Sequence, residues 1–291
     1  MINYLIQAAE ERFGIKADPD DIKKLFSYIG ETYNRTDRET IDRVFESGEA
    51  ADFLTVNETY FFREPAHFSF LWDLLPSFEK TGLRVCCAAV ATGCEAYSIA
   101  MMMEAYNKSS PKPVPRYHID AFDINPKVIE TANAGIYSAR TLREDGSIFR
   151  YMADRYLAKT GNEFSADNSR SGKTAHASGF PVDLCGQYRT DPTLKKNIRF
   201  FVHNLMNELP AAEYDIVFFR NAFIYFSQRY RERILSNLAA VLGNGGILIM
   251  GVSETAGVHH EKLESVNRND VFYFCKSGIN GTCAPAFGSL H

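Results

Sequence analysis

No stretch of these 291 residues is apolar for long enough to span a bilayer, and the opening residues lack the uninterrupted apolar run of a secretory leader. Met1 to Phe13 interleave apolar positions with Gln7, Glu10, Glu11 and Arg12, an amphipathic helical pattern, so a cytoplasmic protein is expected. Long basic runs are missing too, and a net charge of -4 provides no electrostatic footprint for nucleic acid. None of the six cysteines forms a CxxC pair or sits beside histidines at ligand spacing, which argues against a metal centre. Cys86, Cys87 and Cys275 fall within strand-like apolar runs and read as core thiols. There is no G-x-S-x-G elbow and no G-x-x-x-x-G-K-[ST] phosphate loop, and His67, His203, His259 and His260 join no hydrolase pattern.

What is present is an ordinary globular composition, 45% hydrophobic and 23% charged, long enough for one large domain with an appendage or for two domains. Residues 1–56 read as a small helical domain. Tyr4, Leu5, Ala8 and Phe13 make one apolar face, Ile22, Leu25, Phe26 and Ile29 a second, and Ile41, Val44 and Phe45 a third. Asp18-Pro19-Asp20-Asp21 has the chemistry of a helix start. From Leu83 onward, strand-like runs at Leu83–Ala89, Tyr117–Asp123, Ile198–Val202, Tyr214–Arg220, Gly246–Val252 and Val271–Cys275 alternate with helical stretches near Glu95–Tyr106, Pro126–Ala134 and Gln228–Leu242. That rhythm predicts an α/β fold with a doubly wound, mostly parallel, Rossmann-like sheet whose ligands bind at the carboxyl ends of the strands. It breaks over about 138–195, an insertion expected to be β-rich or loop-like, and 276–291 reads as a flexible tail.

One block stands apart. Asn57-Glu58-Thr59-Tyr60-Phe61-Phe62-Arg63-Glu64-Pro65 places two phenylalanines between an Asn/Thr pair and an arginine, within a linker over 57–82. It reads as a loop whose phenylalanines anchor it to a core while Asn57, Thr59 and Arg63 face a ligand; the alternative is a helix start capped by Asn57 or Thr59. A second block, Ala88 to Ala100, runs AAVATGCEAYSIA from a strand into a helix. There Gly93 lets the backbone approach a ligand, or serves an ordinary strand-to-helix turn. Asp123 ends the second strand, where an acid can accept hydrogen bonds from ribose hydroxyls or cap the next helix.

These blocks, with Asn204-Leu205, Arg220-Asn221-Ala222-Phe223-Ile224-Tyr225-Phe226, Gly245-Gly246-Ile247-Leu248 and Gly251-Val252-Ser253-Glu254, resemble the CheR family of chemotaxis receptor glutamate methyltransferases from about Asn57 to Phe274. That family shows N-E-T-x-F-F-R-[DE]-P-x-x-F and A-x-S-T-G-E-E-P-Y-S-I-A. The resemblance implies a class I methyltransferase domain over 83–275 and S-adenosyl-L-methionine as cofactor, with S-adenosyl-L-homocysteine as product. It also implies Arg63 and Tyr225 as catalytic residues. Cofactor contacts would come from Asn57, Thr59, Arg63, Thr92, Gly93, Glu95, Asp123, Asn204, Leu205, Arg220 and Asn221. The implied partner is an acidic signalling protein, a chemoreceptor cytoplasmic helix, with no nucleic acid, membrane insertion or metal. Two departures bear on this. Cys94 and Ala96 replace the family's first glutamate and its proline, leaving room for a reactive thiol or for a non-catalytic S-adenosylmethionine-responsive module. Residues 1–56 are acidic, with only Lys23 and Lys24 where the family carries an arginine-rich helix, which opens the alternative of a methyltransferase acting on another protein or a small acid.

Overall fold

A computed structural model describes the whole chain except residues 80, 144–148, 161–185, 211, 269–270 and 278–291. The N-terminal helices are α1 (Ile2–Phe13), α2 (Pro19–Tyr33), α3 (Arg38–Glu46) and α4 (Ala51–Leu54). The Asp18 side chain accepts the Asp20 N–H and Pro19 takes the first helical position of α2, the capping its sequence predicts. The three apolar faces meet as expected, burying Leu5, Ala8, Ile22, Leu25, Ile29, Ile41 and Val44 in a core of their own. Lys23 and Lys24 are each paired within one turn, to Asp20 and Asp21, so this surface presents no unpaired basic helix face at that position.

The segment expected as a linker, 57–82, contains α5 (Pro65–Leu74) and a short 3-10 turn, Leu75–Phe78. Pro65 does not end a loop here. It opens α5 at the first helical position, with Glu64 before it in left-handed conformation. Phe61, Phe62, Phe68, Leu71, Leu74 and Phe78 all sink into the main core, so this segment is part of the large domain's packing.

The remaining elements run in order β1 (Leu83–Ala88), α6 (Cys94–Ser109), β2 (Tyr117–Asp123), α7 (Pro126–Ala134), β3 (Ile136–Ser138), α8 (Phe149–Tyr156), β4 (Leu157–Lys159), β5 (Gln187–Thr190), β6 (Ile198–Val202), β7 (Tyr214–Phe219), α9 (Gln228–Val241), β8 (Leu242–Met250), β9 (Leu263–Arg268) and β10 (Val271–Lys276). Seven strands form one sheet in the order β6-β2-β1-β7-β8-β10-β9. The first five are mutually parallel, and β10 pairs antiparallel with both β8 and β9. The strand order reverses at β1, which opens a crevice beyond the carboxyl ends of β1 and β7. Of the expected strands, β8 begins four residues early, at Leu242, and β9 was missed altogether. Leu263-Glu264-Ser265-Val266-Asn267-Arg268 is an edge strand with little apolar content, and its extended form depends on pairing with β10.

The described part of the insertion is a small antiparallel sheet, β3-β5-β4, with α8 beside it. The tail assigned to 276–291 lies outside the described residues apart from Lys276 and Ser277. Cys86, Cys87 and Cys94 are free and buried, whereas Cys275, expected as a thiol, is buried but disulfide-bonded.

Gly93 starts α6 with φ +89°, and a Cβ there would lie 2.9 Å from the Ala132 methyl and 3.0 Å from the Phe200 ring. Its hydrogen is required by packing of α6 against α7 and β6. Gly93→Ala is expected to lower stability by roughly 1–3 kcal/mol in urea unfolding, through backbone strain plus overpacking.

Candidate active site

Among the described residues, five of the six non-glycine residues with positive φ, all but Asn34, lie in three loops that meet at the crevice: Phe62 and Glu64 in the 57–64 loop, Ala89 and Ala91 after β1, and Asn221 after β7. Each such backbone costs on the order of 1–3 kcal/mol unless its surroundings dictate it. The loops enclose a cleft with about 960 Å³ of empty space, part of it open to solvent.

The 57–64 loop is held as its sequence suggests. Phe61 packs edge-on to Tyr137 at 5.0 Å and its N–H donates to the Thr141 carbonyl. Phe62 stacks on Phe149 at 5.1 Å, and its N–H donates to Ser98 Oγ at 2.9 Å. With both rings anchored, Asn57, Thr59 and Arg63 line the cleft. Arg63 donates to the Glu58 carbonyl at 3.0 Å and lies over the Tyr60 ring, so its guanidinium stays at the cleft mouth.

Asp123 closes β2 with its carboxylate buried. Oδ2 accepts the Ala91 N–H at 2.9 Å and Oδ1 the Asn125 N–H at 3.0 Å. Burial pushes its pKa up, and those N–H groups oppose the shift. The competing capping role belongs to Asn125, whose side chain accepts the Lys127 N–H at the start of α7.

Arg220 is the electrostatic centre. Its side chain is 2% exposed, and Nη1 bonds Glu95 Oε2 at 2.9 Å while Nη2 reaches the Arg63 carbonyl and lies 3.4 Å from Glu64 Oε2. Its Nε is buried without a hydrogen-bond partner among the described residues. Burial raises the Glu95 pKa against the pull of Arg220; burial would raise Glu64 too, but Arg220, Asn221 and His67 outweigh it and hold Glu64 below its ordinary value. Asn221 is gripped on two sides, its Nδ2 by Glu64 Oε1 at 2.8 Å and its N–H by Glu254 Oε2 at 2.5 Å. Glu254 also accepts the Gly251 and Ile224 N–H groups, which ties the turn carrying Tyr225 to the end of β8. Tyr225 lines the cleft and is half-buried.

Other expected residues are placed differently. Thr92 and Gly93 are not on the cleft wall, which is made there by Ala89, Val90 and Ala91. The Thr92 carbonyl accepts the Tyr137 hydroxyl, and Gly93 faces Ala132 and Phe200. Asn204 and Leu205 do line the cleft, but Asn204 Nδ2 donates to the Arg12 carbonyl at the end of α1 while its Oδ1 accepts the Met206 N–H. Cys94 is fully buried and its thiol is pushed up to about 12 by desolvation, so it stays protonated and is no nucleophile. Sequence reasoning missed the contribution of Phe13, Ile15 and Leu54–Val56, which form a wall of the cleft from the N-terminal helices. It also missed Glu64, His67 and Glu254, although two of them stand inside quoted blocks.

A doubly wound sheet with a nucleoside-sized cleft at its switch point, an acid at the end of β2 and an arginine–carboxylate cluster after β7 defines a class I methyltransferase architecture. The family model described as CheR methyltransferase, SAM binding domain, matches residues 57–170 and 180–272, and the chain belongs to that family. It is 30% identical to a chemotaxis protein methyltransferase of Vibrio parahaemolyticus over 224 residues, 76% of this chain and 72% of that one. It is also 30% identical to the Escherichia coli chemotaxis protein methyltransferase over 235 residues, 79% of this chain and 72% of the other. A Rhodobacter capsulatus 104.1 kDa protein is 30% identical over 253 residues, 84% of this chain but 22% of that protein.

The cofactor of this methyltransferase is S-adenosylmethionine, and the donor set fits it. Both Asp123 oxygens retain lone pairs for a ribose diol, Leu205 and Phe13 supply apolar wall, and Asn221 with the unpartnered Nε of Arg220 stands ready for charged groups.

His67 sits beneath this cluster, 2% exposed, with Nδ1 3.3 Å from Glu64 Oε2. Burial and the neighbouring Arg220 depress its pKa from 6.5 to about 4, against Glu64. As pH falls from the ordinary value toward 4, the unfolded chain takes up a proton that the folded one refuses, so stability declines with falling pH by roughly 3 kcal/mol from this group. Glu64, held low, loses its contribution in the same direction as it protonates. Unfolding midpoints measured from pH 7 to 4 are expected to show the decline, and His67→Gln to flatten it.

Proposed function

We propose that this methyltransferase forms glutamate methyl esters on the cytoplasmic helices of chemoreceptors or receptor-like signalling proteins. The observation that carries the reading is that Arg63 and Tyr225, 162 positions apart in sequence, line one cleft with Asp123, Glu95 and Asn221. When bound, the cofactor supplies an electrophilic sulfonium methyl, which a glutamate carboxylate, ionised at neutral pH, takes without prior proton removal. The residues around it therefore have to orient the carboxylate and exclude water, with no general base among them. Arg63 is the cation at the mouth. Its bond to the Glu58 carbonyl is exposed and worth only about 1 kcal/mol, so the guanidinium is free to clamp an incoming carboxylate. Tyr225 directs a hydroxyl at the same group or lines the methyl pocket, and Phe68, Val90 and Phe226 keep the walls apolar.

One feature favours a different protein partner. Lys23 and Lys24 are each paired to an acid on α2, so that position offers no net basic face to steer an acidic receptor, and the docked protein is recognised elsewhere on the surface or is not a chemoreceptor.

Calorimetric titration with S-adenosylmethionine and S-adenosylhomocysteine is expected to show binding that weakens by about 100-fold, or nearly 3 kcal/mol, in Asp123→Ala. Lack of binding by the wild type would remove the enzyme reading. Transfer of labelled methyl to a chemoreceptor cytoplasmic fragment, released as methanol by mild base, identifies the ester. Tyr225→Phe and Arg63→Ala are each expected to lower turnover by about 10- to 1000-fold. Label that resists base would exclude a carboxyl ester, and label on another acidic protein in place of the receptor fragment would move the substrate.

A further inference from the structure

Glu64 belongs to the loop block, yet its side chain points away from the mouth into the joint between three elements. Its Oε1 accepts Asn221 Nδ2 at 2.8 Å, from the loop after β7. Its Oε2 accepts the Val252 N–H at 3.3 Å, from the turn after β8, and lies 3.4 Å from Arg220 Nη2 and 3.3 Å from His67 Nδ1 on α5. To make these contacts the backbone holds φ 58°, ψ 74° immediately before Pro65, and Asn221 opposite also has φ 58°, a conformation asparagine adopts more readily than glutamate. A glutamate in this region is an outlier of the kind that persists where surrounding contacts demand it.

The chemistry of that bond has a directional consequence. An ionised carboxylate only accepts, so the Asn221 amide must turn its NH2 toward Glu64 and its Oδ1 away. Among the described residues the Asn221 amide has no other hydrogen-bond partner to choose between the two orientations, and its backbone N–H is held separately by Glu254. Oδ1 is an acceptor suited to an ammonium, while Arg220, shared between Glu64 and Glu95, is a cation suited to a carboxylate. Both residues line the cleft.

We infer that Glu64 is a positioning residue that sets the polarity of the end of the cleft receiving the cofactor's amino-acid moiety, orienting the Asn221 amide for the ammonium and sharing Arg220 for the carboxylate. The inference rests on the S-adenosylmethionine reading of the cleft, and it assigns Glu64 no contact with ligand.

The test compares two ligands by calorimetry on the full chain. S-adenosylhomocysteine carries the amino-acid end, and 5′-methylthioadenosine has the same nucleoside and thioether without it. Glu64→Gln keeps the shape but offers an NH2 to a site built for acceptors. It is expected to weaken S-adenosylhomocysteine by 10-fold or more while leaving 5′-methylthioadenosine within 2-fold of wild type. Asn221→Ala should show the same selective loss, and the double variant should fall little further than either single one. Equal weakening of both ligands would reduce Glu64 to a structural role and overturn the inference, as would unchanged S-adenosylhomocysteine affinity or fully additive losses. Should Glu64→Gln not fold, Glu64→Asp, which keeps the charge but shortens the reach to Asn221, is read by the same two titrations, a selective loss of S-adenosylhomocysteine supporting the inference and an equal or absent loss overturning it. Failure of the wild type to bind either ligand would overturn the cofactor reading itself, a distinct result.

Discussion

The guanidinium of Arg220 is the constraint on which the site depends. It is 2% exposed, and a buried cation of this kind is tolerable only with carboxylates in contact. Glu95 comes from the start of α6, Glu64 from the loop before α5, and the Arg63 carbonyl from that same loop. One side chain therefore fixes the distance between the strand that carries it and the two segments that carry the most distinctive sequence blocks. His67, directly below, is kept neutral first by its burial and then by the same cation, which avoids a second positive charge in the joint. Glu254 extends the arrangement to β8 by holding Asn221 and the turn that ends at Tyr225.

The N-terminal helices take part in the same construction. The Lys16 N–H donates to the Tyr225 carbonyl, the Ser227 N–H to the Gly14 carbonyl, and Asn204 to the Arg12 carbonyl at the end of α1. Phe13 and Ile15 then wall the cleft beside Phe226. A change of residue on this unit thus reaches the cofactor cleft through backbone bonds to the very turn that presents Tyr225. The N-terminal helices are thus hydrogen-bonded to segments that line the cleft.

The departures from the family's second block are absorbed without disturbing this geometry. Cys94 and Ala96 are both fully buried at the start of α6, Cys94 protonated beneath Thr92. The acid retained in the block, Glu95, is the one that meets Arg220. The cleft keeps its charge pattern because the lost acid's position faces the core.

Periodicity and turn chemistry determined a great deal by themselves. β2, β6 and α7 fall on the residues their patterns indicate, as do the three apolar helix faces before them and the anchoring of Phe61 and Phe62. These are local matters, settled by spacing of apolar side chains and by residues that cap or begin helices. The family resemblance, with the acid at the end of β2, likewise pointed to Asp123, Glu95, Asn221 and Tyr225, which line one cleft. Only the tertiary structure decided what each does. β9 is a strand because β10 offers it hydrogen bonds, Gly93 is required by its approach to Ala132 and Phe200, and Asn204 spends its amide on α1. The same holds for Glu64, whose carboxylate meets partners from 3 to 188 positions away. Donors and acceptors that distant leave no trace in local spacing, and which of them face a cleft is set by how the sheet, loops and helices close together.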